Sequence, residues 1–226
     1  MTSFLKIRST SDGSTTVENT QLGETYHSVH GAVTESRHVF LWNGLEWFEK
    51  NRSARPIKIF EVGLGTGLNA ALATQWSVQT NVPIRYTSIE KYPLEEHLVE
   101  SLVFPGLDRQ WLDKIHRASW NEQLDVHPMV SFKKISADLL EFDPEPGSAD
   151  LIFFDAFAPS RQPEMWDMSV IEKITTLMSR EGVLVSYCAQ GQFKRNLRSC
   201  GLEVAALPGP PGKREMVRAI RPSIPA

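Results

Sequence analysis

The chain has 226 residues, 41% hydrophobic and 23% charged, with a net charge of −3, the profile of a globular protein with room for one α/β domain and a substantial core. No apolar stretch approaches the roughly 20 residues of a membrane span, MTSFLKIRST holds no apolar leader, and two cysteines, Cys188 and Cys200, make no disulfide framework, so a cytoplasmic protein with reduced thiols is expected. The acidic balance argues against a strongly basic nucleic-acid binder, although residues 191–226 carry seven Lys/Arg against two acids, a local +5 on a body of −8 that suits phosphates or solvent.

Residues 2–9 and 14–19 alternate polar and apolar about SDGS and predict a hairpin. ESRHVFLWNGLEWFEK (35–50) sets Val39, Trp42, Leu45 and Trp47 near helical spacing. A rhythm of strands and helices then begins. PIKIFEVG (56–63) predicts a buried strand, GTGLNAALATQWS (65–77) a turn into a helix, and IRYTSIE (84–90) a second strand. LEEHLVESL and RQWLDKIHRASW read as helical, MVSFKKISAD (129–138) and ADLIFFDAF (149–157) as strands. A helix over 164–180, a strand over 182–188 and a helix over 192–200 follow. LEVAALPG and REMVRAI, joined by PGPPGK, are too close for a crossover helix and must pair antiparallel. The alternation predicts a doubly wound, mostly parallel α/β sheet of seven strands. No linker breaks it, so residues 1–50 are an N-terminal hairpin-and-helix extension and residues 51–226 a single domain.

The turn between the first wound strand and its helix, FEVGLGTGLNA, holds Gly63, Gly65 and Gly67. A dinucleotide fingerprint would place its third glycine where this chain has Leu68, and no GKS/T ending marks a P-loop. The loop admits a ligand close to its backbone but is not built for pyrophosphate. Glu61, two residues before the first glycine, would repel pyrophosphate and welcome an ammonium. Glu90 ends the next strand, with Lys91 beside it, where a carboxylate accepts from both hydroxyls of a ribose. Asp138 follows the third strand, placed either to take an adenine amino group or to cap the following turn. Ammonium, ribose and adenine in that order describe S-adenosyl-L-methionine, lying at the carboxyl ends of the strands.

LIFFDAFAPSRQPEMW (151–166) ends an apolar strand in Asp155, followed by Phe157 and Pro159. A helix there starts only near Pro163, so Asp155 is free to face a transferable methyl. DAFAPSRQPEMW resembles the signature of the methyltransferase part of the MnmC-type tRNA-modification enzymes: an acid, Gly or Ala, FAP, a polar spacer, and Pro-acid-Met-Trp. EVGLGTGLNA resembles that family's glycine loop, including Asn69. ETYHS (24–28), ESRHVFLWNG (35–44) and GKREM (212–216) resemble its other elements. Ala156 stands where many members have Gly, and PGPPGK is richer in proline than the pattern.

The resemblance implies a Rossmann-like class I methyltransferase with S-adenosyl-L-methionine as cofactor. It implies methylation of 5-aminomethyl(-2-thio)uridine to 5-methylaminomethyl(-2-thio)uridine at the tRNA wobble position. Bifunctional members carry a second, flavin-dependent oxidase domain. A chain of 226 residues has no room for one, so a stand-alone methyltransferase is expected, with a separate enzyme supplying the aminomethyl intermediate. Asp155 would hold the amine or take its proton. Tyr26 and Phe157, with Pro159, would wall the base pocket. Lys213, Arg214 and the basic run over 194–198 would hold phosphates of the anticodon stem-loop. The histidines show no metal spacing, so neither a metal nor a membrane partner is expected. Trp42, Trp47 and Trp166 read as core or interface. Two other readings stay open: a methyltransferase acting on a small-molecule amine, and a non-catalytic module that binds a nucleoside or RNA.

Overall fold

The structure is a computed structural model that describes residues 4–143 and 145–223. The expected first strand begins at residues 2 and 3, outside the described residues; β1 (Leu5–Ser9) and β2 (Thr15–Asn19) form the hairpin, and β3 (Glu24–Thr25) adds to β2. Asp12 fastens this small sheet to the next helix. It accepts from the Thr34 backbone N–H at 2.9 Å, from the Thr34 hydroxyl at 2.9 Å, and from the Ser14 hydroxyl.

The long N-terminal helix runs through α1 (Ala32–Ser36), a π-helical segment (Arg37–Glu46) and α2 (Trp47–Asn51). The wider i→i+5 winding changes which residues face the core. Val39, Phe40, Leu41 and Leu45 are buried, Trp47 is half-buried, and Trp42, placed on the buried face by a 3.6-residue period, stands 52% exposed. Gly44 lets the helix lie close on the sheet: a Cβ there would sit 3.0 Å from Val185 and 3.2 Å from Phe153.

The main sheet has eight strands in the order β10-β11-β9-β8-β4-β5-β7-β6. β4 (Ile57–Val62), β5 (Ile84–Glu90), β7 (Val130–Ser136), β8 (Ala149–Phe154) and β9 (Met178–Ser186) are parallel. β10 (Glu203–Pro208) and β11 (Glu215–Ile220) pair antiparallel, as their short connection requires. The strand beyond the seven expected is β6 (Gln123–His127), antiparallel to β7 at the sheet edge. Only Val126 of it is buried, and Leu124, the other apolar residue of QLDVH, stands 43% exposed.

The helices α3 (Leu68–Thr80), α4 (Glu96–Glu100), α5 (Arg109–Arg117), α6 (Met168–Leu177) and α7 (Gly191–Ser199) complete the layers. The helix expected over 164–180 is divided: a 3-10 turn at Pro163–Trp166, then α6, with extended Asp167 between them. β8 shows why LIFF is apolar without alternation. Phe153 packs on one face against Phe40 (5.1 Å between ring centroids), and Phe154 on the other against Trp166 (5.0 Å) and Phe193 (5.7 Å). Both faces of the strand are covered. The strand order reverses between β4 and β8, so a crevice opens at their carboxyl ends.

Candidate active site

A cavity of about 1190 Å³ lies over those strand ends. Its floor is built where β4 and β8 stop side by side: Asp155 N–H donates to Val62 O at 3.1 Å and Gly63 N–H to Ile89 O at 2.9 Å. The glycine loop is tight for steric reasons. Gly65 (φ +49°) would place a Cβ 3.0 Å from the Tyr26 ring, and Gly67 (φ +75°) one 2.8 Å from His116 Nε2. Gly67 ends the loop at the start of α3.

Glu90, at the end of β5, is held by backbone donors. Its Oε2 accepts from Gly65 N–H at 2.9 Å and its Oε1 from Tyr92 N–H at 2.8 Å. Each oxygen keeps a lone pair for a further donor. Burial pushes this carboxyl above its usual range, against the pull of the backbone N–H groups. Asp138 accepts from Leu140 N–H at 2.9 Å, capping its own turn, and pairs with Lys91 at 2.6 Å. Lys91 and that turn's backbone hold its carboxyl low. Gly63, Gly65, Glu90, Lys91 and Asp138 all line the cavity.

Asp155 lines it too, and its Oδ2 accepts from Asn69 Nδ2 at 2.9 Å. Burial, reinforced by the negative charge of Glu35, raises its pKa to about 7; Asn69 and Lys213 pull the other way. A carboxyl poised there can exchange a proton near neutrality.

Glu61 stands elsewhere than expected. It is fully buried in β4, off the cavity wall, with Ser88 Oγ donating to its Oε2 at 2.7 Å. Burial, assisted by the charge of Asp155, lifts its pKa to about 8. In this structure Glu61 is buried against Ser88 and does not line the cavity. Gly67, Asn69, Pro159 and Arg214 also lie off the wall. Asn69 acts through Asp155, and Arg214 is exposed.

Tyr26 and Phe157 come together edge-to-face, with ring centroids 5.0 Å apart, and both line the cavity. Lys213 turns inward instead of facing a phosphate surface. Its ammonium hydrogen-bonds Glu35 Oε1 and sits 3.7 Å above the Tyr187 ring.

Glu35 and Tyr187, both lining the cavity, escaped the sequence reading. Glu35 is 6% exposed and also takes the Ser28 backbone N–H at 2.8 Å. Tyr187 OH donates to Ala156 O at 2.8 Å, which fixes the backbone beside Asp155. Glu35 opens the ESRHVFLWNG element without any signal of its own, and Tyr187 follows β9 outside any motif; each reaches the site from a distant part of the chain. His27 is a third: it is buried and bonded at 2.6 Å through Nε2 to Thr66 Oγ1 in the glycine loop. Among the described residues no group of three or more His, Cys, Asp or Glu is arranged to hold a metal.

Comparisons with known proteins identify the family of the chain. A family model described as S-adenosyl-L-methionine-dependent methyltransferase matches residues 103–222. The MnmC bifunctional protein of tRNA 5-methylaminomethyl-2-thiouridine biosynthesis from Methylobacillus flagellatus is 32% identical over 208 residues, 86% of this chain and 32% of that protein. Its namesake from Acinetobacter baylyi is 30% identical over 226 residues, 89% of this chain and 35% of that protein. The chain thus spans about a third of the length of these curated relatives. The crystal structure of MnmC2 from Aquifex aeolicus superposes with a TM-score of 0.80 at 29% identity, covering 95% of this chain and 70% of that one. With strand order, glycine loop and family model in agreement, the chain belongs to the S-adenosyl-L-methionine-dependent methyltransferases.

Proposed function

We propose that the chain is an N-methyltransferase that converts 5-aminomethyl(-2-thio)uridine to 5-methylaminomethyl(-2-thio)uridine at the wobble position of tRNA. The observation that carries the reading is Asp155: a cavity-lining carboxyl with a pKa of about 7, set beside the glycine loop. The names of the relatives supply the substrate class.

The residues present fit the cofactor. Glu90, with both oxygens fixed by backbone N–H groups and lone pairs to spare, suits a ribose diol. Gly63 and Gly65 allow close approach of the rest, and Asp138 with Lys91 forms the rim beside Glu90. When bound, S-adenosyl-L-methionine supplies a methyl group made electrophilic by its sulfonium.

The chain's own part is to prepare and hold the amine. An alkyl amine is mostly an ammonium at neutral pH, as lysine is. Asp155 in its carboxylate form takes one proton from that ammonium and frees the nitrogen lone pair. It then holds the neutral amine by the remaining N–H. Fixing the amine in line is worth up to about 7–11 kcal/mol of the barrier. Tyr26 and Phe157 wall the space for the base. Residues 1–50 serve as an extension that closes the acceptor side, and a separate enzyme supplies the aminomethyl nucleotide. Work in the cytoplasm is consistent with the lack, among the described residues, of any helix long and apolar enough to cross a membrane.

The test is incubation with labelled S-adenosyl-L-methionine and tRNA carrying aminomethyluridine, followed by nucleoside mass analysis. A new methylaminomethyl nucleoside is expected. Its absence, or equal turnover of a free small amine without RNA, overturns the reading.

A further inference from the structure

Four Lys or Arg side chains line the cavity: Arg8, Lys91, Arg161 and Lys213. Three are already engaged by a carboxylate within hydrogen-bonding distance. Arg8 donates to Glu18 at 3.3 Å, Lys91 meets Asp138 at 2.6 Å, and Lys213 is bound to Glu35. Arg161 differs. Among the described residues its guanidinium makes no hydrogen bond, and its one ion pair is a long one, Nε to Glu24 Oε2 at 3.6 Å, half-exposed. The guanidinium therefore keeps donors for a further acceptor at the cavity wall.

The backbone that carries Arg161 is fixed. Arg161 and Gln162 N–H both donate to Ala158 O, at 2.8 and 2.9 Å. The same loop is pinned by Tyr187 OH on Ala156 O and by Trp166 Nε1 on Phe157 O, each at 2.8 Å. A hydrogen-bonded turn thus carries a loosely paired planar cation six residues after Asp155. Gly23, with φ +63°, has only hydrogen where a Cβ would come within 3.7 Å of the Arg161 Nη2, so the guanidinium lies along open backbone. A fork of this kind matches the paired oxygens of a phosphate better than a lysine does.

From this the structure assigns Arg161 to a backbone phosphate of the nucleotide whose base enters beside Asp155, with Glu24 as the partner it leaves on binding. The assignment rests on the RNA reading above and adds the contact that orients the acceptor nucleotide. It moves the phosphate-holding role from Lys213, which is bound tightly to Glu35, to a cation held only by one long ion pair.

The experiment is binding of tRNA carrying aminomethyluridine, followed by fluorescence anisotropy between about 50 and about 200 mM salt. Wild-type affinity is expected to fall steeply with salt. Arg161→Gln is expected to bind about 5- to 10-fold more weakly at the low end and to lose about one from the salt slope. Its affinity for S-adenosyl-L-methionine in calorimetry should stay at the wild-type value, which shows the fold and the cofactor loop intact. Glu24→Gln releases the guanidinium and should tighten tRNA binding by about 2- to 5-fold, the scale of an exposed pair. That gain should vanish in the double variant. Wild-type affinity and slope in Arg161→Gln, or an equal gain from Glu24→Gln in both backgrounds, would overturn the assignment. Failure of the wild type to bind the RNA in a salt-dependent way would instead overturn the RNA reading itself.

Discussion

Asn69, in the first turn of the helix that follows the glycine loop, donates a 2.9 Å hydrogen bond to Asp155, 86 residues further along the chain. One bond thus couples the helix after the glycine loop to the acid at the end of β8. Asn69 also favours the ionised form of Asp155, against a burial that raises its pKa to about 7.

The rate of methyl transfer should therefore rise with pH through about 7 as Asp155 loses its proton. Asp155→Asn should lower kcat by about 100- to 10,000-fold, the usual weight of a general base, with cofactor affinity retained. Asn69→Ala should move the rising limb upward by about one pH unit, the loss of a hydrogen bond to a charged group. A pH profile of kcat checks both; an unmoved limb in Asn69→Ala contradicts the coupling.

Glu35 and Lys213 act on the same carboxyl with opposite signs. Glu35→Gln should shift the limb to lower pH, because a negative neighbour is gone. Lys213→Met should shift it to higher pH. Lys213→Met also leaves a nearly buried Glu35 without its cation. Breaking a buried pair costs about 3–5 kcal/mol, and the partial exposure of Lys213 reduces that to about 2 kcal/mol. Urea unfolding of the two variants measures this.

The glycine loop has little tolerance. Gly67→Ala combines positive φ with a Cβ 2.8 Å from His116 Nε2, which bonds Thr66 O at 2.8 Å. A cost of about 1–2 kcal/mol from the backbone alone is expected, or a fall in Tm of about 2–8 °C for a chain of this size. Gly65→Ala should in addition displace Tyr26 and weaken cofactor binding, as calorimetry would show.

His27 is buried neutral, and burial lowers its pKa to about 4. The unfolded chain binds a proton near 6.5 that the folded chain refuses until about 4, so stability falls as pH drops through that window. Loss on the order of 3 kcal/mol is expected from this one group. His27→Gln should unfold with a flatter pH dependence between those values in denaturant melts.

Glu61 has the opposite sign. Its pKa is raised from 4.5 to about 8, so the folded chain keeps a proton that the unfolded chain releases. Its contribution is complete below 4.5 and fades as pH rises to about 8. Glu61→Gln, which mimics the protonated form, should remove that part of the pH dependence while keeping the hydrogen bond from Ser88. A variant with the wild-type profile would show that Glu61 is ionised in the fold.

What could be read in advance was local. Apolar runs bounded by turn residues marked the strands of the wound sheet, and Gly63, Gly65, Glu90, Asp138 and Asp155 marked positions that line the cavity. β6 escaped because its alternation rests on two apolar residues, Leu124 and Val126, over five positions at the sheet edge. Trp42 was misplaced because π-helical winding shifts the face that a regular period predicts.

The sequence by itself determined the order of strands and helices, the place of the glycine loop and the acid at the end of LIFF, since each depends on neighbours in the chain. Only the tertiary structure decided which charges meet. It buried Glu61 within the sheet and drew Lys213 to Glu35, 178 residues away. It left Arg161, on the cavity wall, with a single long ion pair to Glu24 at 3.6 Å. The reason is physical: burial and the nearest opposite charge set what a side chain can do, and both are fixed by packing between elements far apart in the chain.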